Sequence, residues 1–424
     1  MGKYLKKFEN HSQYESYIAA DYAKPNVSYC VSENEVHYNP YVHDYADDYL
    51  TFVALENGTF TFTPKNSNVI SYSTDNGNTW TQGNSVSVNN GDKILWKGTM
   101  TPSTSYPQGV GQFSATVNFD VQGNPMSLLF GDDYKGETDL TGNNYAFYQL
   151  FYNNIKVINA ENLSLPATTL TNQCYDSMFQ GCTSLTCAPE LPAETLAGSC
   201  YSNMFRGCTG LTEAPELPAE TLADNCYGWM FNGCTSLTTA PDLPATTLAN
   251  SCYQTMFNGC TGLTTAPALP ATTLEGTCYY SMFKGCTSLT TAPELPATTL
   301  ADSCYYGMFQ GCTGLTTAPT ELPATTLIQN CYYGMFQGCT SLTTAPELPA
   351  TTLADSCYYS MFYGCTNLNY IKAMFTTTPS STYTSSWVSG VSASGTFVKN
   401  ASATWTTTGV NGVPNGWTVQ TASE

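Results

Sequence analysis

Charge is scarce in this chain: only 11% of its 424 residues are charged, 13 cationic against 32 acidic, and the net charge is −19. Arg206 is the single arginine. Phosphate neutralisation needs clustered Lys and Arg, so this balance argues against a nucleic-acid partner. Histidine is almost as rare. Only His11, His37 and His43 occur, so a Ser-His-Asp or Cys-His site would have to form within the first 44 residues. There is no Gly-x-Ser-x-Gly elbow, no His-Glu-x-x-His pair and no phosphate-binding glycine loop. No run of 18 apolar residues is present, which predicts no membrane insertion. The stretch Met1 to Asn10 lacks the apolar run of a secretory signal, and Lys6 stands where a myristoylation pattern wants Ser or Thr. These absences predict cytoplasmic synthesis, no cofactor and no catalysis: a protein that binds or builds.

Abundant Thr, Asn, Ser, Gly and Tyr keep the surface wet through neutral groups. The length is too great for one ordinary core and predicts two to four units. One of them declares itself by cysteine spacing. Cys174, Cys200, Cys226, Cys252, Cys278 and Cys304 are each 26 residues apart, Cys331 follows after 27, and Cys357 after 26. The extra residue lies in Ala-Pro-Thr-Glu-Leu-Pro at 318–323 and predicts a one-residue bulge. Each unit reads approximately Cys-Tyr-x-x-Met-Phe-x-Gly-Cys-Thr-x-Leu-Thr-x-Ala-Pro-Glu-Leu-Pro-Ala-x-Thr-Leu. Eight copies at this period predict a stacked solenoid over residues 171–368.

Cys, Tyr, Met, Phe and the second Cys fall at offsets 0, 1, 4, 5 and 8, a spacing that predicts one face of a short helix closed by the glycine. The proline-rich stretch after it predicts a short extended rung, stacked in parallel with its neighbours. Residues 140–170 contain a repeat-like unit without cysteine and predict an N-terminal cap. Residues 369–424 abandon the pattern, and their Trp387, Trp405 and Trp417 predict the core of a C-terminal cap.

The segment Met-Phe-x-Gly-Cys-Thr-x-Leu resembles the Ala-Phe-x-Gly-Cys-x-x-Leu segment of BspA-like leucine-rich repeats, found on surface proteins of gut bacteria. The period of 26 exceeds that family's usual one. The resemblance implies a leucine-rich-repeat fold and adhesion, and names no ligand.

Residues 1–44 form a separate tyrosine-rich piece, with a helix expected around 12–20 and paired strands in Pro-Asn-Val-Ser-Tyr-Cys and Glu-Val-His-Tyr-Asn-Pro. Lys3, Lys6 and Lys7, with Tyr29 and Tyr38, are the candidate anchoring residues; a solvated terminus is the alternative. The stretch 25–40 resembles an N-terminal module of virion proteins of crAss-like bacteriophages. That resemblance implies an attachment segment for other virion proteins, with the solenoid presented to a host surface protein or glycan, and a virion location after synthesis in the host cytoplasm. A bacterial cell-surface adhesin is the alternative; a carbohydrate-active enzyme lacks its catalytic constellation. Homo-oligomerisation stays open.

Residues 45–139 alternate as short strands between Asn/Gly turns: 50–55, 59–62, 69–72, 86–88, 93–97 and 113–119. They predict a β-sandwich that spaces the solenoid from the anchor. The expected fold is thus mainly β with short helices: anchor, sandwich-like domain, then about eight repeats between two caps. Ser73-Thr-Asp-Asn-Gly-Asn-Thr-Trp80 matches the Asp-box of sialidase-like propellers, a structural hairpin turn without catalytic residues. Cys30, His37, His43 and Asp44 are too loosely spaced for a zinc site, and ordinary turn and packing roles are expected of them. The repeat cysteines read as a ladder of free, buried thiols, since eight helical residues separate the pair within a unit by about 12 Å, beyond disulfide reach. The row Glu190, Glu216, Asp242, Glu294, Glu321 and Glu347, interrupted by Ala268, reads as a solvated carboxylate stripe, with bridging cations as the alternative.

Offsets 2, 3 and 6 vary between units and point away from the packed face. They supply the candidate binding surface: Arg206, Trp229, Tyr280, Lys284, Tyr306, Tyr333, Tyr359 and Tyr363. Binding and unconstrained drift both predict such variability.

Overall fold

The computed structural model describes residues 44–105 and 108–422, together with the backbone of three short strands before them. Those strands are β1 (Leu5–Lys7), β2 (Ser28–Ser32) and β3 (Glu35–Tyr38); β1 pairs in parallel with β2, and β2 pairs antiparallel with β3, Tyr29 facing His37. The strand pair expected in this piece is therefore present, while the helix expected at 12–20 falls outside the described residues.

The next unit is built from β4 (Leu50–Ala54), β5 (Gly58–Pro64), β6 (Ile70–Ser73), β7 (Thr81–Gln82), β8 (Ser85–Val88), β9 (Lys93–Gly98), β10 (Gly111–Ala115), β11 (Phe119–Gln122) and β12 (Val157–Asn159). Six strands make one sheet in the order β12-β11-β4-β9-β6-β7, and three make a second in the order β10-β5-β8. Alternating apolar residues bury one face of each. Phe52 of the first sheet packs at 5.4 Å from Phe60 and 4.7 Å from Phe113 of the second, which is the packing of a sandwich. The single strand expected over 113–119 is instead two, one in each sheet. The chain crosses between them at Thr116-Val117-Asn118, where the Leu55 N–H donates to the Asn118 carbonyl. A period-2 pattern identifies strand conformation but is blind to such a change of sheet.

The sandwich is continuous with the repeats. β12 belongs to residues expected to cap the array, yet it pairs in parallel with β11, and Asn159 bridges onward to Cys187. Phe151 stacks on Phe113 at 5.9 Å and on Phe179 at 5.1 Å, so one hydrophobic core runs through both parts.

Inside a repeat the expected helix is absent. A short helix (Ser127–Phe130) lies before the array, but each Cys-to-Cys segment is a chain of overlapping turns. From Cys174 to Cys182, every second N–H bonds three residues back (Cys174 to Thr171, Asp176 to Gln173, Met178 to Tyr175). The N–H groups between them donate to the next coil (Tyr175 to Cys200, Ser177 to Ser202, Phe179 to Met204). Offsets 0, 1, 4, 5 and 8 are buried as expected, but on a strict period of 4 that reflects turns, not the 3.6 of a helix. The physical reason is competition for backbone donors. A two-turn helix is costly to nucleate and leaves four N–H groups unsatisfied, whereas here alternate N–H groups close turns and the stacked neighbour accepts from those between them.

This geometry places offsets −1, 3 and 7 in the left-handed region. Offset 7 is glycine in all eight units, and offset 3 is Ser177, Asn203, Trp229, Thr255, Ser281, Gly307, Gly334 and Ser360. Thr255, at φ 57°, is β-branched where such residues are disfavoured. Replacing it with Asn, which occupies the same place as Asn203 at φ 55°, is expected to raise stability by about 1 kcal/mol, read as a higher urea midpoint at unchanged slope.

The proline-rich stretches form isolated parallel bridges, such as Thr239 to Thr265 and Thr291 to Thr317, in place of continuous strands. The extra residue, Thr320, is exposed, and its N–H and hydroxyl both donate to the Glu294 carboxylate. Seventeen cysteines of the described residues are free thiols, and at offset 8 each S–H donates to a phenylalanine carbonyl of the preceding coil, as Cys208 does to Phe179 at 3.1 Å. At the far end β13 (Tyr370–Ala373), β14 (Thr396–Lys399) and β15 (Thr418–Thr421) form a parallel sheet. The indole N–H groups of Trp387, Trp405 and Trp417, all buried, donate to the Gly412, Phe375 and Ser392 carbonyls.

Candidate binding surface

Because each coil repeats its turns in register with the last, residues at equal offsets line up in columns along the array. Two columns lie inside. Phe179 to Phe362 stack at 5.5–5.8 Å and Tyr175 to Tyr358 at 5.6–6.0 Å. A third aromatic column, at offset 2, lies on the outer face. Tyr280, Tyr306, Tyr333 and Tyr359 are half-buried, with ring centroids 4.7, 4.4 and 4.5 Å apart and planes within 12° of parallel. Four of the candidate residues thus form one ladder, tighter than either internal one.

Stacking spends the ring faces on one another and leaves their hydroxyl-bearing edges toward solvent. Burial first, then the neighbouring phenols Tyr306 and Tyr359 and hydrogen bonds with their hydroxyls, pushes Tyr333 up to about 12. Burial and Tyr306 also raise Tyr280 above its ordinary value. Tyr280 and Tyr333 are therefore neutral at physiological pH.

Offset 6 forms the neighbouring column. Lys284 and Tyr363 are exposed, Tyr363 to 46%, and between them Gln310 Nε2 donates to Gln337 Oε1 at 2.9 Å. The glutamines were not among the sequence candidates. A signal for them exists: the units starting at Cys304 and Cys331 both read Cys-Tyr-Tyr-Gly-Met-Phe-Gln-Gly-Cys, whereas other outer faces differ from one another. Arg206 and Trp229 lie in earlier coils, outside the ladder. Arg206 is exposed with Nη1 3.4 Å from Asn203 Oδ1, and Trp229 is half-buried at φ 55°.

Of the candidate anchor, Lys6 and Lys7 fall in β1, Tyr29 in β2 and Tyr38 in β3, while Lys3 lies outside the described residues. The side chains of Cys30, His37 and His43 lie outside the described residues, and among the described residues no three His, Cys, Asp or Glu side chains cluster as a metal site. The acidic row is exposed, and Glu347 pairs with Lys372 at 2.8 Å. No described helix is long and apolar enough to cross a membrane. The Asp-box forms a turn between β6 and β7: Asp75 accepts from the Thr79 N–H and hydroxyl, Gly77 takes φ 87°, and Trp80 packs 4.9 Å from Tyr49 beneath the Lys97 ammonium. Those Thr79 hydrogen bonds hold the Asp75 carboxyl below its ordinary range.

The profile of the BspA type leucine rich repeat region, in six copies, matches residues 172–316 and 276–390, together a little over half of the chain. The chain belongs to the BspA-type leucine-rich-repeat family. The match ends at 390, so the BspA-type region takes in both the tyrosine ladder and the coil around Trp387. No curated protein and no solved structure matches the chain.

Proposed function

We propose that this BspA-type repeat protein is a non-enzymatic adhesion protein that contacts a host surface through the outer face of its stacked coils. The observation that carries this reading is the outward tyrosine ladder: a rigid, neutral, half-exposed strip repeated coil after coil, suited to multivalent contact. Residues 140–170 and the tryptophan-bearing tail, 369–424, act as caps of the solenoid. In the first, Phe147 and Phe151 donate to Cys174 and Met178 in the turn-by-turn manner of a full repeat.

We read it as a virion protein of a bacteriophage, with residues 1–44 as its attachment segment. Support comes from the resemblance of 25–40 to virion proteins. The BspA-type repeats equally suit a bacterial cell-surface adhesin. Proteomics on gradient-purified particles from the source culture separates the two. Stoichiometric co-sedimentation with the major capsid protein is the expected result; recovery in the bacterial envelope alone would remove the virion placement and keep the adhesin.

A further inference from the structure

The outer face of four consecutive coils has a chemistry that narrows the ligand class. The tyrosines of the ladder offer phenol edges on rings whose centroids lie 4.4–4.7 Å apart, each hydroxyl able to donate and accept. Beside them the Gln310 and Gln337 amides form a second neutral donor and acceptor row. Between the two rows, Gly307 and Gly334 lack side chains, and a Cβ there would stand 3.4 and 3.3 Å from the Gln310 and Gln337 Oε1 atoms. Their absence lets both amides approach the coil next to the tyrosines, with no side chain standing between the two rows.

We propose that this surface binds a neutral glycan chain laid along the array, its hydroxyls hydrogen-bonded to the Tyr306 and Tyr333 phenols and the Gln310 and Gln337 amides. The inference rests on the adhesion reading and names the ligand class for the same face. A protein epitope would need an apolar pocket or a projecting aromatic anchor, and here the ring faces are already occupied by one another. An anionic polymer would need clustered cations, and Lys284 is the single charged residue in these two rows. A polyhydroxylated, uncharged, repeating chain satisfies a repeating set of neutral donors and acceptors without leaving any of them desolvated and unpaired.

The test uses the full chain on blotted envelope from the source culture's bacterial host, with three treatments: none, periodate, which cleaves the vicinal diols of glycans, and proteinase K. The double variant Tyr306→Phe/Tyr333→Phe keeps the stacked rings and removes two hydroxyls. Expected are binding to untreated envelope, its loss after periodate but not after proteinase, and at least tenfold weaker binding by the variant at an unchanged unfolding midpoint. Loss after proteinase but not periodate overturns the glycan and leaves adhesion standing. Periodate-sensitive binding that the variant retains in full overturns the assignment to this face. Absence of binding to untreated envelope overturns the adhesion reading and this inference with it.

Discussion

Raising the pH above about 10 should unfold this protein cooperatively, because its core is lined with acidic hydrogens that burial prevents from leaving. Burial pushes Cys174, Cys226 and five further repeat cysteines up to about 12 from an ordinary 9.0. The sign follows from which state holds more protons. Between about pH 9 and 12 the unfolded chain has lost these protons while the folded chain keeps them, so stability falls as pH rises through that window. Each such thiol costs about 1.4 kcal/mol per pH unit above 9, and seven together reach about 14 kcal/mol by pH 10.5, as much as a domain's whole stability. The buried tyrosines, also raised well above 10.0 by burial, add to the loss above pH 10. Tyrosinate absorbance and far-ultraviolet circular dichroism followed together check this. A late step in absorbance coincident with loss of ellipticity is expected; titration of all the tyrosines near pH 10 with the fold intact would contradict it.

The second large effect is the loss of one rung. Phe257→Ala should destabilise by about 4 kcal/mol, since Phe257 is fully buried and stacked at 5.6 Å on both Phe231 and Phe283. The consequence differs from that of a cavity in a globular core. In a stack, each coil is held only by its two neighbours, so a weakened coil uncouples the segments on either side. Calorimetry on the variant should show two transitions where the parent shows one. A single transition at a slightly lower temperature would mean that the sandwich and repeats share stability through contacts other than this column. The outer ladder gives the contrast: Tyr306 is half-buried and stacked on the outside, so its loss leaves the inner columns whole.

Cysteine spacing located the repeat, and alternation located most strands of the sandwich. The spacing at offsets 0, 1, 4, 5 and 8 marks the buried residues, yet it predicts a helix where the chain forms stacked turns. Periods of 4 and 3.6 are indistinguishable over nine residues. The discriminating sign lies in the glycine at offset 7 of every unit, with Asn225 and Asn330 at −1 and Asn203, Gly307 and Gly334 at 3: residues that tolerate the left-handed region, four positions apart. Tyr306, Tyr333 and Tyr359 stand out one by one in the sequence, but nothing local says that they touch.

By itself, then, the sequence determined what each unit buries, that units must stack to hide it, and that the exposed face is neutral and rich in tyrosine. Those properties are carried by residue type and spacing alone. The tertiary structure decided where every second backbone N–H goes, that sandwich and repeats share one core through Phe151, and that four tyrosines form one strip. Each of these depends on the register between coils, and register is set by contacts between residues 25 or more positions apart, which no local pattern encodes.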